Sequence, residues 1–198
     1  MNEAEKAHLK KALDADVRFD GRKKDEFREI SIERGVIATA EGSARVTLGE
    51  TVVLAGVKME VGTPYSDTPE EGSLMVGAEF LPMASPDFEM GPPSIDAIEL
   101  ARVVDRGIRE GHAMDVHGLV IESGKKVWNV IVDICTINSA GGLQDASALA
   151  AVAALEDARL PGLDTSSNDY VIDYKTKTDK KLPLANQPIT VTVFKLGD

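Results

Sequence analysis

Arg102, Arg106 and Arg109 bring three side chains suited to anion chemistry within eight positions. On a helix, where successive residues advance by about 100°, they fall within roughly 60° of one another. Ala97, Leu100, Ala101, Val104 and Ile108 lie broadly on the opposite side, and Glu99 sits beside the arginines. Guanidinium forks match phosphate oxygens and stay charged, so one reading is a phosphate-tracking patch. The other is a solvated helix face laced with i,i+3 and i,i+4 charge pairs.

Other chemically suggestive residues offer less. Gly141-Gly142-Leu143-Gln144 precedes an apolar, alanine-rich run and could cradle an anion on free helix amides. Leu143 and Gln144 bring neither hydroxyl nor cation, and Asp145 places a carboxylate where an anion would sit. The segment matches neither a P-loop nor a dinucleotide fingerprint, which favours a tight turn into a helix. His112 and His117 flank Asp115, but no Cys/His cluster elsewhere would complete a metal shell. Ser147 has no evident histidine partner, and Cys135 lies in an apolar run that reads as core. Asp16 with Asp20, and Glu70 with Glu71, sit in charged stretches with no apolar wall to shift a pKa. None of these is a self-sufficient catalytic centre.

Charge narrows the function classes. The 198 residues hold 22 Lys and Arg against 33 Asp and Glu, a net charge of −11. Such a chain repels polyphosphate overall, so any polyanion site must be local or completed by a partner. One cysteine excludes an internal disulfide framework. Met1 leads into Asn2-Glu3-Ala4-Glu5-Lys6 rather than a basic segment and an apolar core, and no apolar stretch approaches a membrane span. The expectation is a soluble, cytoplasmic protein of one domain over residues 1–198.

The elements that would position these residues follow from periodicity and breakers. Glu3 to Leu13 reads as a short helix and Asp16 to Arg22 as a charged loop. Val36–Ala40 and Ser43–Leu48 around Glu41-Gly42 read as a hairpin, followed by strands at Thr51–Glu60 and Leu74–Leu81. Pro82, Pro86, Pro92 and Pro93 mark a loop, after which Ser94 can cap a helix from Ile95 to about Glu110. Leu119–Ile121 and Val127–Ile137 read as strands, and Asp145–Leu160 as a helix ended by Pro161-Gly162. Tyr170–Tyr174 is a candidate strand, Lys175–Lys181 a charged turn and Ile189–Lys195 a last strand. Strands, helix, strands, helix is an α+β order.

Val17-Arg18-Phe19-Asp20-Gly21-Arg22 resembles the Arg-x-Asp-Gly-Arg motif of the ribonuclease PH superfamily. Leu81–Pro86, Glu99–Arg106 and Gly141–Leu155 resemble the family of non-catalytic ring subunits of the archaeal RNA exosome, and the likeness runs from Leu13 to Asp198. The resemblance implies a two-half ribosomal-protein-S5 domain-2-like fold whose C-terminal part, a strand hairpin and a terminal helix, lies beyond these residues. It implies a heterodimer with a catalytic ribonuclease PH-like exosome subunit, three per hexameric ring, with RNA-binding cap subunits and single-stranded RNA as further partners. No membrane partner is implied. The catalytic partner would degrade RNA 3′ to 5′ with inorganic phosphate; this chain would need no cofactor or metal and hold no catalytic residue. Arg102 and Arg106 match RNA-binding arginines of that family, and Arg109 shares their face. Two alternatives remain: a phosphate-dependent exoribonuclease in its own right, and a chain whose arginines only pair with a partner's carboxylates.

Overall fold

In the computed structural model, residues 3–23, 25–165 and 170–195 are described. An N-terminal helix, α1 (Glu3–Asp14), precedes strands β1 (Ile30–Arg34), β2 (Gly42–Leu48), β3 (Thr51–Gly62) and β4 (Ser73–Phe80). Helix α2 (Ile95–Glu110), strands β5 (Val120–Glu122) and β6 (Lys126–Asn138), and helix α3 (Leu143–Asp157) follow. A two-stranded ribbon, β7 (Arg159–Asp164) with β8 (Val171–Lys181), comes after α3. The main sheet runs β1-β2-β3-β6-β4, with β5 also paired to β6. Its neighbours are antiparallel except β4 and β6, which are parallel and joined by a crossover that contains α2.

Period-two alternation makes the sheet one-sided. Val53, Ala55, Val57 and Met59 of β3 are wholly buried, and Trp128, Val130, Val132 and Ile134 of β6 face the same core. Helix α3 lies against β2 and β3 and touches α2, while α2 packs on β4. Eight of its side chains are buried, six of them alanines, which lets the helix come close to the sheet. A Cβ at Gly42 would stand only 2.4 Å from the Ala154 carbonyl oxygen, so glycine is required at that contact.

Several local expectations change. The strand that pairs with β2 is Ile30–Arg34, not Val36–Ala40. Gly35 turns at φ +69°, and the loop after it is tied by side chains: the Ile37 amide donates to Ser43 Oγ at 2.9 Å, and Lys58 donates to the Thr39 carbonyl. Pro161-Gly162 lies inside β7 rather than ending a helix, in a ribbon whose register slips on both sides of Pro161. The lysines expected in a turn extend β8 to Lys181. Among the described residues Ile189–Lys195 pairs with no strand; Ile189, Val191, Val193 and Phe194 are exposed. Cys135 is half-buried on the sheet face opposite the helices, since β6 alternates and Ile134 and Thr136 point inward. The polar stretch expected at Thr165–Asn168 continues from Thr165 outside the described residues, as do Gly197 and Asp198.

Candidate nucleic-acid interface

Helix α2 carries the arginine face and is defined at both ends. Ser94 Oγ accepts from the Ala97 amide at 3.2 Å, and the chain stops being helical at Gly111. Ala97, Leu100, Ala101, Val104 and Ile108 are its buried residues, so the opposite stripe faces outward. Arg102 and Arg106 are exposed on that stripe, and among the described residues neither has a hydrogen-bonding or ion-pair partner. Exposed Ile95 and Ile98 lie on the same stripe one to two turns earlier.

Arg109 has a different environment. Its Nε and Nη2 donate to the two oxygens of Asp105 at 3.0 and 2.7 Å, and Nη2 also reaches the Leu74 carbonyl of β4 at 2.8 Å. The Asp105 carboxylate holds the guanidinium above its ordinary pKa. Arg109 therefore ties α2 to the sheet, an anchorage that Arg102 and Arg106 do not share among the described residues. Local spacing places all three on one face but carries no sign of the Leu74 contact, 35 positions away.

The Gly141-Gly142 turn is a filled site. Both glycines have positive φ, +89° and +68°, and Arg28 lies against them; a Cβ at Gly141 would meet its guanidinium at 2.9 Å. Arg28 Nη1 and Thr51 Oγ1 both donate to the Gly141 carbonyl, at 2.5 and 2.7 Å, while Thr51 accepts from the Ala140 amide. Asp145, in the first turn of α3, accepts from the Thr192 hydroxyl at 2.7 Å. The helix N-terminus thus has a carboxylate in place, and the nearby guanidinium is directed to a carbonyl. Arg28 and Thr51 were missed from sequence because they meet the turn only across 113 and 90 positions.

The remaining candidates make local structure. Asp20 is paired with Arg22 at 2.6 Å, and that hydrogen bond holds its carboxyl below the usual range, opposite to what a general acid needs. Asp16 lies at left-handed φ +62°, and Glu70 accepts from Ser123. His117 Nδ1 sits 2.8 Å from the Glu70 carbonyl oxygen, and the His117 amide donates to Asp115. Among the described residues no three His, Cys, Asp or Glu side chains gather as a metal site. Ser147 Oγ is buried and, among the described residues, has no hydrogen-bond partner.

The model of the 3′ exoribonuclease family, domain 1 (RNase PH), matches residues 26–161. The chain belongs to that family. The exosome complex component Rrp42 of Methanocella arvoryzae is 49% identical over 180 residues, covering 91% of this chain and 66% of that protein. Its counterpart in Thermoplasma acidophilum is 46% identical over 198 residues, 100% of this chain and 72% of that protein. The chain thus spans about two thirds of the length of the first of these relatives. The solved Archaeoglobus fulgidus exosome with RNA bound to the active site superposes with a TM-score of 0.81 at 46% identity, covering 94% of this chain and 70% of that one. An archaeal exosome core gives 0.76 at 43% identity, with 94% and 68% covered. The α+β architecture is accordingly that of a ribonuclease PH domain, and the arginine face, the Gly141-Gly142 turn and both long helices lie inside the matched span.

Proposed function

We propose that the chain is a non-catalytic ring component of an archaeal exosome. It pairs with a catalytic ribonuclease PH-like subunit, three such pairs forming a hexameric ring, helps to shape that subunit's active site, and holds single-stranded RNA for 3′-to-5′ phosphorolysis. RNA-binding cap subunits complete the assembly, and inorganic phosphate is used by the partner. Residues 1–198 act as one domain, without cofactor or metal, in the cytoplasm; no helix among the described residues is long and apolar enough to cross a membrane.

The observation that carries this reading is the pair Arg102 and Arg106, exposed and unneutralised on one helix face of a chain with net charge −11. Arginines left open where carboxylates are in excess suit an external phosphate backbone. Relatives named as exosome components, and the likeness to an exosome with RNA bound, support that target. The non-catalytic half of the reading is supported by the Gly141–Gln144 segment. Arg28 fills its turn, Asp145 stands at the helix N-terminus, and Leu143 and Gln144 supply no hydroxyl or cation for phosphate.

The test is phosphate-dependent release of nucleoside diphosphates from single-stranded RNA by this chain, by the catalytic partner, and by both together. Release by the mixture well above the partner alone is expected. Release by this chain alone, abolished on omitting phosphate, would overturn the non-catalytic assignment.

A further inference from the structure

Strand β8 is a second cationic surface in an otherwise acidic protein. It holds Lys175, Lys177, Lys180 and Lys181 against only Asp173 and Asp179, and all six are exposed. Among the described residues, none of the four ammonium groups has a hydrogen bond or ion pair, although the chain has eleven more carboxylates than cations. The Asp173 carboxylate is engaged locally instead: it accepts from the Lys175 amide at 2.9 Å and is held below its ordinary pKa chiefly by the Thr176 hydroxyl. Across the ribbon, Lys181 stands directly opposite Arg159. Like charges facing each other across a strand pair are unfavourable unless something outside neutralises them.

The ribbon beneath these lysines is held in place. The Tyr174 ring lies 4.6 Å from Lys58 Nζ, and Lys58 is paired at 2.8 Å with buried Glu41. Thr178 Oγ1 donates to the Leu160 carbonyl at 2.7 Å, Tyr170 donates to Glu122 at 2.7 Å, and Leu182, next after the strand, is in the core. The lysines sit between and beside these anchors, on a supported backbone with free side chains.

We propose that β8 is an RNA-contacting surface separate from the α2 arginines, with Lys175, Lys177, Lys180 and Lys181 tracking the phosphodiester backbone. The proposal rests on the RNA-degrading reading above and adds a site to it. Four flexible point charges suit a backbone of repeated phosphates, which needs charge but no fixed orientation. They suit a protein partner poorly, because lysine is depleted from interface cores and β8 offers only Val171 and Tyr174 as exposed large apolar groups.

The experiment compares three forms of the chain assembled with its catalytic partner: unaltered, with the four lysines changed to Gln, and with Arg102→Gln and Arg106→Gln. Binding of a fluorescein-labelled single-stranded oligouridylate is followed by anisotropy across a salt series. Each lost phosphate contact removes about 0.7 from the slope of log affinity against log salt, so the lysine variant should lose about 2 to 3, or about 16- to 64-fold of the affinity change over a fourfold range of salt. Lys→Arg at the same positions should keep the slope. A slope unchanged by the lysine variant but reduced by the arginine variant overturns the β8 site and leaves the RNA reading intact. A slope unchanged by both overturns the RNA reading as well. Loss of assembly with the catalytic partner at an unchanged RNA slope would assign β8 to a protein contact and overturn the proposal.

Discussion

Replacing Arg102 and Arg106 by Ala separates phosphate binding from fold maintenance, because the third arginine on the same helix face provides an internal control. Arg102 and Arg106 have no hydrogen-bonding or ion-pair partner among the described residues, so removing them breaks no such bond there. Their loss should leave stability within about 0.5 kcal/mol of the unaltered protein. For a single strand, two phosphate contacts correspond to a salt slope of about 1.4, or about sevenfold in affinity over a fourfold change in salt. Arg109→Ala removes the fork onto Asp105 and the bond to the Leu74 carbonyl instead. An exposed ion pair contributes only a few tenths of a kcal/mol, and the carbonyl bond adds a comparable amount, so the cost should be about 1 kcal/mol. Both variants are measured by urea denaturation and by anisotropy of labelled single-stranded RNA on the assembled ring. The reasoning is refuted if the double variant keeps the full salt slope, or if Arg109→Ala alters the slope as much as the pair while leaving stability untouched.

Two further outcomes follow from buried and shaded charge. Lys58→Met would strand the Glu41 carboxylate, which is 2% exposed and otherwise accepts only from the Met59 amide. A cost of about 3 kcal/mol in chemical denaturation is expected, with much of it recovered when Glu41→Gln is added. Asp133 is held above its ordinary pKa by desolvation and, second, by the Glu79 carboxylate. The folded state therefore holds that proton more tightly than the unfolded chain, and this group's effect on stability turns unfavourable as pH rises from below the unfolded pKa through the folded one. Asp133→Asn should raise the melting temperature at neutral pH and leave it unchanged in acid, where both states are protonated; an equal gain at both pH values would refute the assignment.

Helix α2 was legible from end to end because three independent signals agree there: the 3.6-residue apolar period, Ser94 as cap, and the prolines just before it. Strand β3 was equally plain, since alternate buried residues leave a period-two trace. The misread segments are those whose conformation depends on distant partners. Ile189–Lys195 has the β-branched residues of a strand, but a strand requires a neighbour to bond, and none of the described residues supplies one. Val36–Ala40 has similar composition, yet its backbone is tied by Ser43 and Lys58 side chains rather than by a ladder. Lysine-rich β8 was hidden for the opposite reason: its side chains suggest a turn, while Thr178 and Tyr174 hold it extended. At the candidate site, the arginine stripe was visible in the spacing, but the partners of Arg109 and Arg28 were not, because each crosses from one element to another.

The partition of cations is what the proposed function requires of so acidic a chain. Lys58, Arg22, Arg34 and Arg109 are each paired with a carboxylate of this chain, and Arg28 is directed to a backbone carbonyl. Lys58, Arg34 and Arg109 join loops and helices to the sheet, while Arg22 and Arg28 hold loops. Among the described residues, Arg102, Arg106 and the β8 lysines make no such bonds. Leaving an exposed cation unpaired costs folding little, because a surface ion pair contributes at most about 1 kcal/mol. The same cation gains from meeting a phosphate strand, where released counterions supply the driving force. An excess of carboxylates over the chain as a whole disfavours indiscriminate binding of RNA and leaves local groups of open cations to decide where a polyanion can dock. On the proposed function, a strand drawn through a ring would need contacts that orient it without trapping it, and a few open cations on an acidic chain would suit both requirements.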